Sequence, residues 1–253
     1  MYKESLERNE AFWAKVSPPP PPAISADLLL KDNEKQHARE LLSWHRDFSV
    51  VKHGSFEDGN LAWFLDGELN VSYNCVDRHA LATPDKVAIL HNGDQPDDVR
   101  KVTYAQLLSE VSRVANYLKS EGLVKGDTVA VYMPTIPEAI FAILACARLG
   151  VVHSVVFGGF SAEALASRVQ DARCKLIFTA DQGLRGGKHV HLKQIVDDAL
   201  AQYPCPSVQR VVVYKYTGDV KVPFHAPRDV YWQDVMVEKK NNKFSSRIYI
   251  FFC

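Results

Sequence analysis

Residues 125–159 read KGDTVAVYMPTIPEAIFAILACARLGVVHSVVFGG, and the order of signals in this stretch decides the fold. Thr128–Met133 is a short apolar run of the length of one buried strand. Pro137 is placed to open a helix, where its missing N–H is no loss, and Gly150 to close it. Val151–Phe157 is a second apolar run that ends on Gly158-Gly159. Strand, helix and strand in this sequence specify a parallel sheet covered by helices, because two parallel strands need a crossover between them.

The same alternation continues outward in both directions from Lys86 onward. Further strands are expected at Val87–His91, Lys175–Ala180 and Arg210–Lys215. The clearest helix lies before the opening stretch. Thr103 and Gln106 form a capping box, Leu107, Leu108, Val111, Val114, Ala115 and Leu118 recur at helical spacing, and Gly122 sits at the end. Ser161 is placed to cap another helix, and Leu192–Gln202 reads as one more. The fold class is therefore α/β, a mostly parallel sheet with helices on both faces. No repeat of the solenoid type is present.

The first 76 residues read differently. Residues 1–16 have the pattern of a short helix, ending at Ser17 before the run Pro18 to Pro22. Five prolines favour polyproline II, as a stiff linker or as a ligand for a proline-binding module. A helical pattern returns from Asp32 to Asp47. Segment 50–76 is rich in turns and aromatics (Phe56, Trp63, Phe64, Tyr73) and reads as an irregular, strand-poor collar on the main domain.

Bulk composition is that of an ordinary globular chain, 253 residues with 47% hydrophobic and 24% charged side chains. Thirty basic residues balance thirty acidic ones, so no global field favours nucleic acid or an anionic membrane. The balance is uneven, since Lys239, Lys240, Lys243 and Arg247 stand in residues 239–253 without one acidic residue. Cys75, Cys146, Cys174, Cys205 and Cys253 form no CxxC, which suggests buried, reduced thiols in a cytosolic setting. The polar N-terminus MYKESLERNEAFW is no signal peptide, and no stretch has the ~18 apolar residues of a membrane span.

Chemistry in a parallel sheet belongs at the carboxyl ends of the strands. Two loops stand there. Phe157-Gly158-Gly159-Phe160-Ser161 runs straight into a helix, so two glycines allow close approach of backbone to a ligand and the helix start offers N–H groups to an anion. A structural turn is the plainer reading of Gly-Gly alone, and neither GxGxxG nor GxxxxGK[ST] occurs. In the second loop, Asp181-Gln182-Gly183-Leu184-Arg185-Gly186-Gly187-Lys188, the cations Arg185 and Lys188 flank a glycine pair and can lean over one concave surface, as a phosphate requires. By spacing alone a solvated basic loop remains the plainer reading. His153 reads as a hydrogen-bonded core histidine. His189 and His191 lack the companions of a metal set, and Asp197-Asp198 reads as a solvated helix face. No GxSxG or HExxH occurs, and no metal site is expected.

Several longer segments carry a resemblance. SFEDGNLAWF (55–64), LNVSYNCVDRHA (69–80), PDKVAIL (84–90), DDVRKVTYAQLL (97–108), KGDTVAVYMPTIPEAI (125–140), LACARLGVVHSVVFGGFSAEAL (144–165) and RGGK (185–188) together resemble the AMP-forming acetyl-CoA synthetases. The segment VYK-TG (213–218) is most similar to the eukaryotic, fungal-like branch. The resemblance implies the N-terminal part of the large adenylate-forming domain. It divides the chain into a family-specific extension (1–76), the first part of the AMP-dependent synthetase/ligase domain (77–238) and an unrelated tail (239–253). It also implies a reaction in which acetate and ATP give acetyl-adenylate and CoA then displaces AMP, with magnesium accompanying ATP. The implied setting is the cytoplasm, or also the nucleus, with small-molecule partners and neither nucleic acid nor membrane.

By the same resemblance, Arg185, Gly186, Gly187 and Lys188 hold the phosphates of the CoA nucleotide, beside Phe157, Gly158 and Gly159. Lys188 stands where other members have Arg, which keeps the charge and loses bidentate donation. The family's ATP loop of the YTSGSTGKPKG type, its adenine, ribose and acetate pockets, its hinge and its small-domain lysine are not found in these 253 residues. The expectation is an incomplete chain without catalytic residues of its own. A propionyl-CoA synthetase, a non-catalytic CoA-binding module or an interaction protein are the alternatives.

Overall fold

In the computed structural model, residues 36–57, 59–94, 97–218 and 221–236 are described. The expected helix at 1–16, the proline run and the tail 239–253 lie outside them. The chain divides into two compact units, residues 1–42 with 49–65, and residues 43–48 with 66–253.

In the first unit, residues 36–41 are helical, and β1 (Val50–Ser55) pairs antiparallel with β2 (Asn60–Leu65). The strand-poor expectation for 50–76 is therefore wrong. VVKHGS and NLAWFL carry enough β-branched and aromatic residues for a hairpin, a signal obscured by the polar residues among them.

The second unit carries the sheet. A helical segment begins before its first strand, with a π-helical stretch at Tyr73–Asp77 followed by α1 (Arg78–Ala82). The segment YNCVDRHA proves to be a set of structural ties. Asn74 accepts from the Ser43 N–H at 2.7 Å and donates to the Ser43 carbonyl at 3.0 Å, much as a strand partner would. Asp77 takes both guanidinium nitrogens of Arg148 at 2.7 and 2.8 Å.

Next come β3 (Val87–Asn92) and β4 (Val99–Thr103), an antiparallel hairpin of their own. Val87–His91, expected beside the parallel strands, thus lies outside that sheet. Its partner β4 was hidden by the charged residues Arg100 and Lys101. Helix α2 (Tyr104–Ser120) starts with the full capping box of Thr103 and Gln106. Then follow β5 (Thr128–Tyr132), α3 (Pro137–Leu149), β6 (Val152–Val155), α4 (Ala162–Asp171) and β7 (Leu176–Ala180). Pro137 is at the start of α3, Gly150 ends it at φ +72°, and Ser161 caps α4 through the Ala164 N–H. A short hairpin, β8 (Gly183–Arg185) and β9 (Lys188–Val190), precedes α5 (Leu192–Gln202), β10 (Arg210–Tyr214), β11 (Asp229–Tyr231) and α6 (Trp232–Val235).

Five parallel strands lie in the order β11-β10-β7-β5-β6. Val129, Val131, Leu176, Phe178 and Val212 face a core built with α2 and α3. Their neighbours Ala130, Tyr132, Ile177, Val211 and Val213 face a second core with α4 and α5. Burial on both faces is why these strands read as unbroken apolar runs. No helix among the described residues is long and apolar enough to cross a membrane.

The strand β6 is an open edge among the described residues, with Val152 53% and Val155 57% exposed and Ile140 of α3 41% exposed nearby in sequence. An unpaired apolar edge invites pairing or aggregation. The purified 253-residue chain is expected to bind the dye ANS well above a stable compact domain. A monomer with a sharp thermal transition and no ANS signal would contradict this.

Candidate functional site

The sheet order has a physical consequence. Counting the parallel strands along the chain, the order is the second, first, third, fourth and fifth, so the direction of winding reverses between β5 and β7. A crevice opens at such a switch point, because the loops leaving the two strands diverge. A cleft of about 610 Å³ lies there, lined by Met133 to Pro137 after β5, Phe157 and Gly158 after β6, and Gly183 to Arg185 in β8. The β3–β4 hairpin (89–94), Ile140 of α3, Val155 of β6 and Tyr216 also line it.

The two loops singled out in the sequence meet at this cleft. A Cβ on Gly158 would come within 2.9 Å of the Met133 carbonyl oxygen, so only glycine lets the β6 loop run against the end of β5. Phe160 is fixed from below, its carbonyl accepting from the Tyr132 hydroxyl at 2.8 Å. Arg185 lies over the Phe157 ring, 5.3 Å from its centroid. Phe157 in turn meets Phe160 edge-on at 5.8 Å, and Arg168 covers Phe160 at 4.9 Å. Phe157 remains 52% exposed. The result is a pair of edge-on rings flanked by two cations, Arg185 on Phe157 and Arg168 on Phe160, so that positive charge stands beside a partly open aromatic surface.

Gly186 and Gly187 form the two-residue turn of the β8–β9 hairpin, at φ +56° and +74°. Both values are left-handed, as the favoured tight hairpin turn requires. Arg185 and Lys188 are register partners across this turn. Arg185 lines the cleft; Lys188, Gly186, Gly187 and Gly159 lie outside its lining. A model of the family described as AMP-binding enzyme matches residues 76–249. The chain belongs to this family.

A second model, for the acetyl-coenzyme A synthetase N-terminus, matches residues 35–75. The first match runs past residue 238, where the sequence reading ended the likeness. Among relatives, the chain is 51% identical over 240 residues to the acetyl-coenzyme A synthetase of Phycomyces blakesleeanus, covering 95% of the chain and 32% of that protein. It is 50% identical over 242 residues to the one from Penicillium chrysogenum, covering 96% and 32%. To the one from Dictyostelium discoideum it is 45% identical over 240 residues, covering 95% and 32%. The chain thus spans about a third of the length of these relatives.

Two residues of the second loop to which the sequence assigns no role, Asp181 and Gln182, tie the loop in place. Asp181, at the end of β7, is 1% exposed and accepts from five donors: the N–H groups of Gln182, Tyr216, Thr217 and Gly218 and the Thr217 hydroxyl. This explains the VYK-TG segment, whose last residues wrap a buried carboxylate. Gln182 bridges two rings, accepting from His189 Nδ1 at 2.7 Å and donating to His191 Nδ1 at 2.9 Å. One ring must carry a proton on Nδ1 and the other must not, so the amide enforces opposite tautomers. Neither histidine belongs to a metal set among the described residues.

Three expectations need correction. Asp197 is no solvated face residue, because Lys193, one turn earlier and fully buried, bonds it at 2.6 Å and Arg228 bonds it at 2.7 Å. Its neighbour Asp198 is half-buried and accepts from the Gln194 side chain. His153 is half-buried on the edge strand, its imidazole makes no hydrogen bond among the described residues, and burial lowers its pKa. The thiols of Cys146 and Cys174 are buried and pushed up to about 12 and about 11 by that burial, while Cys75 is exposed against expectation.

Proposed function

We propose that this chain is the N-terminal portion of an acetate–CoA ligase of the AMP-forming type, and that its two cleft loops receive the nucleotide end of CoA. The observation that carries the reading is the stack of Arg185 on the exposed ring of Phe157, which brings a phosphate-binding cation and an aromatic face to one end of one cleft. Arg185 supplies directed donors to a phosphate, Lys188 a second charge across the turn, and Phe157 with Gly158 a surface against which the nucleotide lies. The reaction of the whole enzyme joins acetate to ATP, releases pyrophosphate, and lets the CoA thiol displace AMP. Acetate, ATP with its magnesium, and CoA are its substrates, in the cytoplasm and also in the nucleus.

The residues assigned here serve the second half-reaction only. Adenylation depends on donors that stabilise charge at the α-phosphate, and the 253 residues contain no Ser/Thr/Gly-rich loop of the YTSGSTGKPKG type. A polypeptide of these 253 residues, purified free of host synthetase, is therefore expected to show no acetate-dependent exchange of pyrophosphate into ATP. Exchange above an acetate-free blank would overturn that division of labour.

A further inference from the structure

The β8–β9 hairpin has only three residue pairs, Gly183 with Val190, Leu184 with His189 and Arg185 with Lys188. Two-stranded hairpins of this size are marginal by themselves, and a Gly-Gly turn has the most backbone freedom to lose. Something outside the hairpin must hold the turn. The structure shows what does. The Asp94 carboxylate, at the tip of the β3–β4 hairpin, accepts from both turn amides: Gly186 N–H to Oδ1 at 3.1 Å and Gly187 N–H to Oδ2 at 2.7 Å. The tip that carries it is itself tied, by the Gly93 N–H to the Asp98 carbonyl at 2.6 Å.

An anion thus already occupies the amides that a phosphate could have used. Among the described residues, no ion pair joins Asp94 to Arg185 or Lys188. Asp94 takes the backbone donors and leaves both side-chain cations available. We infer that Asp94 is a positioning residue for phosphate recognition: it clamps the Gly186-Gly187 turn so that Arg185 and Lys188 are presented in a fixed geometry. The inference rests on the CoA reading given above and adds to it a residue 91 positions upstream of Arg185.

The clamp and simple electrostatics predict opposite signs. A carboxylate acting only as a nearby negative charge, or as a competitor for the turn amides, would weaken phosphate binding, so its removal would tighten it. A clamp, once removed, leaves the cations loosely placed, and phosphate binding falls.

The test is calorimetric titration of the 253-residue chain, and of its Asp94→Ala, Asp94→Asn and Arg185→Ala variants, with CoA and with dephospho-CoA. The expected result is a fall of about three- to tenfold in the preference for CoA in both Asp94 variants, the low end of charged hydrogen bonds because the clamp is exposed. Affinity for dephospho-CoA should stay within about twofold, whereas general unfolding would lower both ligands together. An unchanged or increased preference in the Asp94 variants, with Arg185→Ala losing it, overturns the clamp and leaves the phosphate reading standing. A preference unmoved by Arg185→Ala overturns the phosphate reading itself, and the clamp with it.

Discussion

Replacing Lys193 with alanine should destabilise the chain by about 3 kcal/mol, the low end for breaking a buried pair, because two carboxylates are then left sharing the single cation of Arg228. The ammonium is fully buried and touches Asp197 at 2.6 Å, Asp229 at 2.8 Å and the Pro223 carbonyl at 3.0 Å. Arg228 closes the cluster by bonding Asp197 at 2.7 Å and Asp229 at 2.6 Å. Lys193 sits in the first turn of α5, and its own N–H reaches the Asp181 carbonyl at 3.3 Å. The cluster therefore ties the helix that follows the β8–β9 hairpin to the far edge of the sheet. Urea denaturation of wild type and Lys193→Ala measures the loss, and a change below about 1 kcal/mol would place the cluster in the class of screened surface pairs.

The same cluster sets an acid limit. Burial works to raise the Asp229 carboxyl, but hydrogen bonds from Arg228, Lys193 and the His225 N–H outweigh it and hold the pKa below the ordinary 3.8. A carboxyl lowered in the folded state contributes stability that is fully present above the ordinary value. That contribution is lost as pH falls from there through the folded value.

Arg185→Ala, in a complete enzyme carrying this segment, should raise the KM for CoA about tenfold and leave acetate-dependent pyrophosphate exchange nearly untouched. A charge-assisted contact to phosphate is worth about 1.5–3 kcal/mol, and exposure of the turn argues for the lower end. Lys188→Ala should cost less. A guanidinium loses two directed bonds, whereas the ammonium loses mainly charge, and Lys188 lies outside the cleft lining. Equal damage to both half-reactions would mark the substitution as structural. An unchanged KM would return the turn to a solvated surface.

What was legible in the sequence follows from the physics of each element. The strands β5, β7 and β10 are buried on both faces, and the edge strand β6 is bounded by the buried Val151 and Val156, so their apolar runs stand out. Pro137, Gly150, Ser161 and the pair Thr103 and Gln106 mark helix ends through local backbone chemistry, and local chemistry is visible in one dimension. The hairpins β1–β2, β3–β4 and β8–β9 were missed or misplaced because solvated, short strands carry charges and histidines where alternation would be sought. At the site, the glycine pairs and the cations were visible for the same local reason. Asp94 was not, since a clamp formed across 92 positions leaves no mark at either end beyond an Asp in a polar turn. Asp197 was misread because helical spacing cannot show that its partner Lys193 is fully buried.

The central claim is that the turn at Arg185–Lys188 and the loop at Phe157–Gly159 receive the phosphates of CoA, and one titration tests it most directly. Wild-type chain is titrated with CoA and, separately, with dephospho-CoA, which differs by a single phosphate. The account predicts about tenfold tighter binding of CoA, the low end of what one charge-assisted phosphate contact supplies, and a preference that shrinks as salt screens the pair. Equal affinities for the two ligands, at low and at high salt alike, would contradict it.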